Sequence, residues 1–129
     1  MSSRTVLVAE DDILIRLMLV DALTDDGYHV VQAGTVLEAI AAIGRHPTFD
    51  AMITDVDMPG SLTGLDLAAM VSSVAPRTEI IVASGRDVSD DVSPNWSFMP
   101  KPYSLYRILA LLDSRLGASA LEGGLAQAI

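Results

Sequence analysis

Five short apolar runs punctuate the chain, centred on Val6-Leu7-Val8, His29-Val30-Val31, Ala51-Met52-Ile53, Ile80-Ile81-Val82 and Ser97-Phe98-Met99. None alternates strictly between apolar and polar positions, which is the pattern of parallel strands covered on both faces. Helical patterns separate them. Residues 12–25 predict a first helix, stopped by Gly27. A second is capped by Thr35 and runs to Arg45, with Glu38 three residues after the cap in a capping-box arrangement. Residues 64–74 predict a third, ending before Pro76, and residues 103–116 a last one, with Gly117 as its stop. The stretch Arg86 to Asn95 differs. It carries Asp87, Ser89, Asp90, Asp91, Ser93 and Pro94, and has room for at most one helical turn.

Strands alternating with helices predict an α/β fold. Right-handed crossovers then place helices on both faces of the sheet. The expected architecture is flavodoxin-like: a doubly wound, five-stranded parallel sheet of order 2-1-3-4-5, with a short or degraded fourth helix between strands four and five. In such sheets the ligand site lies beyond the carboxyl ends of the strands, at the switch point between strands one and three. Chemistry-bearing residues collect at those ends. Glu10-Asp11-Asp12 follow the first strand and Asp55 ends the third. Ser84 ends the fourth, before Gly85, and Lys101 follows the fifth between Pro100 and Pro102.

Carboxylates held close together repel by roughly 4 kcal/mol per pair at an effective dielectric near 20, so the cluster calls for a cation. Hard oxygen donors, with no cysteine or histidine beside them, favour Mg²⁺ over zinc. Asp55 is then placed to attack phosphorus as a carboxylate nucleophile. The metal and Lys101 would stabilise charge on the transferring group, and the Ser84 hydroxyl would bond a phosphoryl oxygen. Asp12 reads as a helix N-cap rather than a ligand.

Composition narrows the picture further. The chain has 129 residues, half of them apolar, enough for one domain with a sizeable core. It has no cysteine, which excludes thiol catalysis and disulfide staples. A net charge of −9, with scattered basic residues, argues against nucleic acid as a direct partner. No run is long enough to span a bilayer, and Met1-Ser2-Ser3-Arg4 leads directly into a strand without a signal peptide. The expectation is a soluble cytoplasmic protein.

Glu10-Asp11, Asp55 with Met58-Pro59-Gly60, Ser84, and Lys101-Pro102, in that order, resemble the response-regulator receiver domain of two-component signalling. The resemblance covers residues 4–116 and is to the stand-alone type, with residues 117–129 as a tail and no output domain. It implies that Asp55 accepts a phosphoryl group from a histidine kinase or histidine phosphotransfer protein. It implies that Glu10, Asp11 and Asp55 hold Mg²⁺, with the Asp57 backbone carbonyl completing the protein ligands. Ser84 and Lys101 would contact the phosphoryl group, and Phe98 would take the place of the switch aromatic. The Lys101–Pro102 peptide would be cis, and the side chains of Asp57 and Arg86 would influence hydrolysis of the phosphoryl group. Such a module is a phosphoacceptor without separate substrate turnover. It acts on a downstream protein or relays the group to another histidine, as a monomer or weak homodimer away from nucleic acid and membrane. Two departures stand out: Ser61-Leu62-Thr63 lengthens the turn before Gly64, and Phe98 lacks a tyrosine hydroxyl.

The first helix is apolar on both sides. Ile13, Leu17 and Val20 are expected to face the core, leaving Leu14, Ile15, Met18, Leu19 and Ala22 outward. Leu14, Ile15 and Met18 are the candidate contacts for the kinase, with a homodimer contact as the alternative. His29 and His46 read as structural or solvent-facing, and Trp96 as a packing residue. Two other functions compete. Asp55-Val56-Asp57 also matches the Asp-x-Asp pair of a haloacid-dehalogenase-like phosphatase, but two strands precede it and Glu10-Asp11 would have no role. The third reading is a phosphorylation-independent, receiver-like binding scaffold.

Overall fold

The computed structural model describes residues 4–45 and 48–117. The expectations for His46, for Met1–Ser3 and for nearly all of the tail lie outside these residues. The strands are β1 (Thr5–Ala9), β2 (His29–Ala33), β3 (Ala51–Asp55), β4 (Glu79–Ser84) and β5 (Ser97–Pro100). The helices are α1 (Ile13–Asp25), α2 (Val36–Arg45), α3 (Gly64–Val74) and α4 (Leu105–Leu116). All pairings are parallel and the order is β2-β1-β3-β4-β5. Strand order therefore reverses between β1 and β3, as expected of a flavodoxin-like sheet. Every residue of β3 is buried, which explains its apolar start Ala51-Met52-Ile53.

Alternate strand residues feed two cores. Leu7, Met52, Ile80 and Val82 meet α2 and α3 through Ala39, Leu67, Ala68 and Val71. Val6, Val8, Ile53 and Ile81 meet α1 and α4 through Leu19, Leu23, Ile108 and Leu112. Burial of this apolar surface is the main stabilising contribution, at about 25 cal/mol per Å².

Caps fix the helix starts. Asp12 Oδ1 accepts from the N–H groups of Leu14 and Ile15 at 3.0 and 3.1 Å. Thr35 Oγ1 accepts from Glu38 N–H, and the Glu38 carboxylate reaches back to Gly34 N–H at 2.7 Å. Ser61-Leu62-Thr63 finds its use here. Thr63 caps α3 in a full capping box with Asp66, and such caps contribute about 1 kcal/mol.

The α1 orientation corrects the expectation. Leu19 and Leu23 are fully buried and Ile15 packs beside them, a stripe at i, i+4 and i+8. Ile13 and Leu17 are instead exposed, at 62% and 46%. A helix apolar all round carries no phase in its own sequence, so its neighbours decide which stripe is buried.

Between β4 and β5 the chain makes only a 3-10 turn, Ser89–Asp91. The α2/α3 core is closed there by side chains. Val88 is buried, Val92, Trp96 and Phe98 pack against the cluster, and Trp96 Nε1 donates to Ser72 Oγ on α3 at 2.8 Å.

Candidate functional site

The carboxyl ends of β1, β3, β4 and β5 bring Glu10, Asp55, Ser84 and Lys101 together. One carboxylate oxygen from each of Glu10, Asp11 and Asp55 lies within 4.8 Å of the others. Lys101 Nζ sits 3.1 Å from Glu10 Oε1 and 3.2 Å from Asp55 Oδ2. Glu10 and Asp55 are buried while Asp11 is exposed, so the cluster opens to solvent on one side.

Each group is held by its backbone. Glu10 N–H donates to Ala33 O at 3.0 Å, extending the β1–β2 ladder by one residue. Glu10 Oε2 accepts from Asp12 N–H at 3.1 Å. Asp55 pairs with Ala83, and Val56 N–H continues the ladder to Ala83 O. Lys101 N–H donates to Ser84 O at 2.8 Å, tying the end of β5 to the end of β4 across the cis Lys101–Pro102 peptide. The turn after Asp55 closes on α3 so tightly that a Cβ on Gly64 would lie 1.8 Å from Asp55 O. Only glycine fits there.

Burial raises the pKa of Asp55; Lys101 pulls against that and Asp11 adds to it. Glu10 is raised too, mainly by burial, against the Asp12 N–H and Lys101 and with Asp55 adding to the rise. Burial pulls the Lys101 ammonium down, but its bonds and charge contacts with Glu10 and Asp55 push it up on balance. One ammonium thus faces three acids. The remaining negative charge, the hard oxygen donors and the open side suit a small divalent cation. The Asp12 carboxylate takes no part, because it is used by the α1 cap.

Residues 6–112 match the response regulator receiver domain. The chain belongs to this family. It is 32% identical to the transcriptional regulatory protein PdtaR of Mycobacterium tuberculosis over 95% of its own length and 63% of that protein's, so it spans less than two thirds of that relative. The fold superposes on a response regulator receiver protein from Sinorhizobium medicae with a TM-score of 0.84, at 22% identity, covering 91% of this chain and 97% of that one. It also superposes on the response regulator TrrA of Thermotoga maritima, solved in complex with Mg²⁺-BeF, with a TM-score of 0.78, 23% identity, and 87% and 98% coverage. The chain therefore carries a receiver domain of a two-component system, from a family whose domains generally signal rather than turn over substrate.

Around the receiver's acid cluster lie residues that sequence reasoning placed only partly. Arg86 grips the Asp57 carboxylate with two bonds, 2.9 and 3.1 Å, at the exposed mouth of the site. The Arg86 guanidinium lowers the Asp57 pKa. Arg86 N–H donates to Ser84 Oγ at 3.1 Å, which leaves the hydroxyl hydrogen free to point elsewhere. Phe98 lies half-buried in the α2/α3 core. Leu14 and Met18 are exposed at 66% and 48%, whereas Ile15 is half-buried. Ile15 and Met18 line a groove of about 470 Å³ with Lys101, Pro102, Tyr103 and Leu105. Burial pushes the Tyr103 hydroxyl there up to about 12.

Arg16 and Thr54 escaped the sequence reading. Arg16 Nη1 donates to Glu10 O at 2.8 Å and its Nε to Gln32. Thr54 Oγ1 donates to Asp55 O at 2.9 Å. The lone arginine in the otherwise apolar early part of α1 was the available signal for Arg16. Thr54 offered none, being a threonine inside a buried strand with no local partner pattern.

Proposed function

We propose that Asp55 is the phosphoacceptor of this receiver domain and that phosphorylation requires Mg²⁺. The observation that carries this reading is the Lys101 ammonium set between Glu10 and Asp55, with Asp11 completing the acid cluster. Glu10, Asp11 and Asp55 would hold the metal, with the Asp57 backbone carbonyl as a further ligand. When bound, the cation supplies charge neutralisation to the acids and to the transferring phosphoryl group. The Mg²⁺-BeF complex of the Thermotoga protein supports the assignment by analogy.

The chain's own residues supply the rest. An Asp55 oxygen forms the new bond to phosphorus while the phosphorus–nitrogen bond of a phosphohistidine breaks, and the imidazole leaves. Lys101, already beside Asp55, balances charge on the phosphoryl oxygens. The Ser84 hydroxyl donates to one of them. Phe98 follows this change by packing alone. The donor is a histidine kinase or histidine phosphotransfer protein, which docks on Leu14, Met18 and the groove that Ile15 lines. The response passes to a downstream protein.

The Asp-x-Asp phosphatase reading gains no support. The Asp57 carboxylate is exposed and engaged by Arg86, and it is Glu10 and Asp11 that converge on Asp55. Incubation with acetyl phosphate and Mg²⁺, followed by intact-mass analysis, should show one phosphoryl adduct. Asp55→Asn should show none, and neither should wild type in EDTA. An adduct on the Asn variant would refute the assignment.

A further inference from the structure

Far from the receiver site, at the amino edge of the sheet, three titratable side chains converge from separate elements. Asp26 terminates α1, its N–H donating to Ala22 O and Leu23 O at 3.1 Å. Gly27 turns the chain with φ 95°, and Tyr28 N–H returns to Leu23 O at 3.0 Å. This turn aims Asp26 and Tyr28 at α4. There the buried Tyr28 hydroxyl donates to Asp113 Oδ1. Asp26 Oδ2 is buried as well, and no N–H or O–H of the described residues reaches it. Its neighbour is the Asp113 carboxyl, close enough for a hydrogen bond once one of the two acids carries a proton.

Two ionised carboxylates cannot bond to each other, and a buried acceptor without a donor is costly. A single proton resolves both problems. We propose that the Asp26 carboxyl retains a proton and donates it to Asp113, forming a pH-sensitive clasp that fastens α1 to α4 at the foot of their layer. Asp113 then accepts twice, from Tyr28 and from Asp26. Among the described residues the charged groups facing the clasp are few. Asp26 stands at the end of α1, Tyr28 ahead of β2, Asp113 on α4, and Arg4 ahead of β1 acts on Tyr28. Burial, followed by the charge and hydrogen bond of Asp113, raises the Asp26 pKa, consistent with this arrangement.

The sign of the effect follows from linkage. A carboxyl that binds its proton more tightly when folded contributes stability that is complete below the ordinary aspartate range. That contribution is lost as pH rises through the folded-state titration.

Carboxyl-detected NMR titration of the wild-type chain tests the clasp directly. The Asp26 midpoint should lie above the ordinary aspartate range, and an ordinary midpoint overturns the proposal. In Asp113→Asn the amide can donate to Asp26 in place of the shared proton, so the Asp26 midpoint should fall back. An unmoved midpoint overturns it too. Asp26→Asn carries a permanent donor. Its melting temperature should exceed that of wild type by about 4 °C at the alkaline end of a pH series. The gap should close on acidification, whereas a gap that is constant with pH would refute the clasp. Acetyl phosphate should label Asp55 equally in both backgrounds.

Discussion

Both edges of this sheet take carboxylate oxygens out of solvent, and they neutralise them in different ways. At the carboxyl edge Glu10 and Asp55 share Lys101 at 3.1 and 3.2 Å, with exposed Asp11 opening the cluster to solvent. At the amino edge Asp26 and Asp113 meet beside the Tyr28 hydroxyl, and Asp26 Oδ2 has no donor among the described residues. A fixed ammonium opposes the burial that raises these acids and leaves them facing an incoming cation or phosphoryl group. Where a hydroxyl and not an ammonium is the bonding partner among the described residues, the neutraliser is a proton, and the result is a joint rather than a reaction centre. Buried acids alone therefore do not define a functional site; the counter-charge and the access to solvent do.

The sharpest contrast between the edges is steric, and it carries the largest expected effect. A Cβ on Gly64 would meet Asp55 O at 1.8 Å, whereas one on Gly27 meets nothing within 4 Å and suffers only from φ 95°. Gly64→Ala should cost about 3 kcal/mol or more, because the backbone carrying Asp55 must move. Gly27→Ala should cost about 1 kcal/mol. Urea unfolding of both variants checks the ranking, and equal losses would show that the α3 turn is looser than its geometry indicates.

Lys101→Met would make the carboxyl edge resemble the amino edge. Glu10 and Asp55 would then be buried beside an apolar side chain, at a cost of about 2 kcal/mol in metal-free buffer at neutral pH. Labelling by acetyl phosphate should slow about 100-fold, since a preorganised charge is lost where charge develops. Urea melts and timed mass spectra measure the two effects. If stability fell while labelling stayed fast, Lys101 would be a counter-ion without a part in the chemistry.

Much of this was legible in the chain. The β3 run Ala51–Asp55 is apolar until its last residues because both faces are covered, so strand and site announce each other. Glu10, Ser84 and Lys101 were readable for the same reason: each interrupts an apolar run at its carboxyl end. Asp12 and Thr35 marked helix starts by local bonding, which sequence records directly. What failed was information held by neighbours. The burial of Leu19 rather than Leu17 depends on where α1 meets β1 and α4, since every side of that helix offers apolar residues. Tyr28 and Asp113 lie 85 residues apart and Trp96 and Ser72 24 apart, separations at which no local pattern links two side chains.

Asp55→Asn offers a pH test of the carboxyl edge. Burial raises the Asp55 and Glu10 pKa values in the fold. Each therefore contributes stability that is whole below the ordinary carboxylate range and declines as pH rises through the folded-state titration. In metal-free buffer at neutral pH the Asn variant should melt higher than wild type, by roughly a few degrees. The advantage should vanish on acidification. If the acid cluster holds Mg²⁺ as proposed, the ion at millimolar concentration should raise the wild-type melting temperature and narrow the gap, because a ligand of the folded state alone stabilises it. A gap unaffected by either pH or Mg²⁺ would detach the stability difference from charge.

The smallest expected effect lies at the mouth of the site, where the edge meets solvent. Arg86 and Asp57 are both largely exposed, so their ion pair is screened, and Arg86→Ala should leave the melting temperature unchanged. Its consequence is local. With the guanidinium gone, the Asp57 carboxylate, two residues along the chain from Asp55, is released from its ion pair. A freed carboxylate can orient an attacking water as a general base. After removal of acetyl phosphate, the adduct on Asp55 should therefore decay severalfold faster in Arg86→Ala than in wild type, followed by intact mass. Asp57→Asn, which removes the carboxylate together with the ion pair, should decay more slowly than Arg86→Ala. If both variants decay at the wild-type rate, the Arg86–Asp57 pair is a surface contact with no bearing on phosphoryl lifetime.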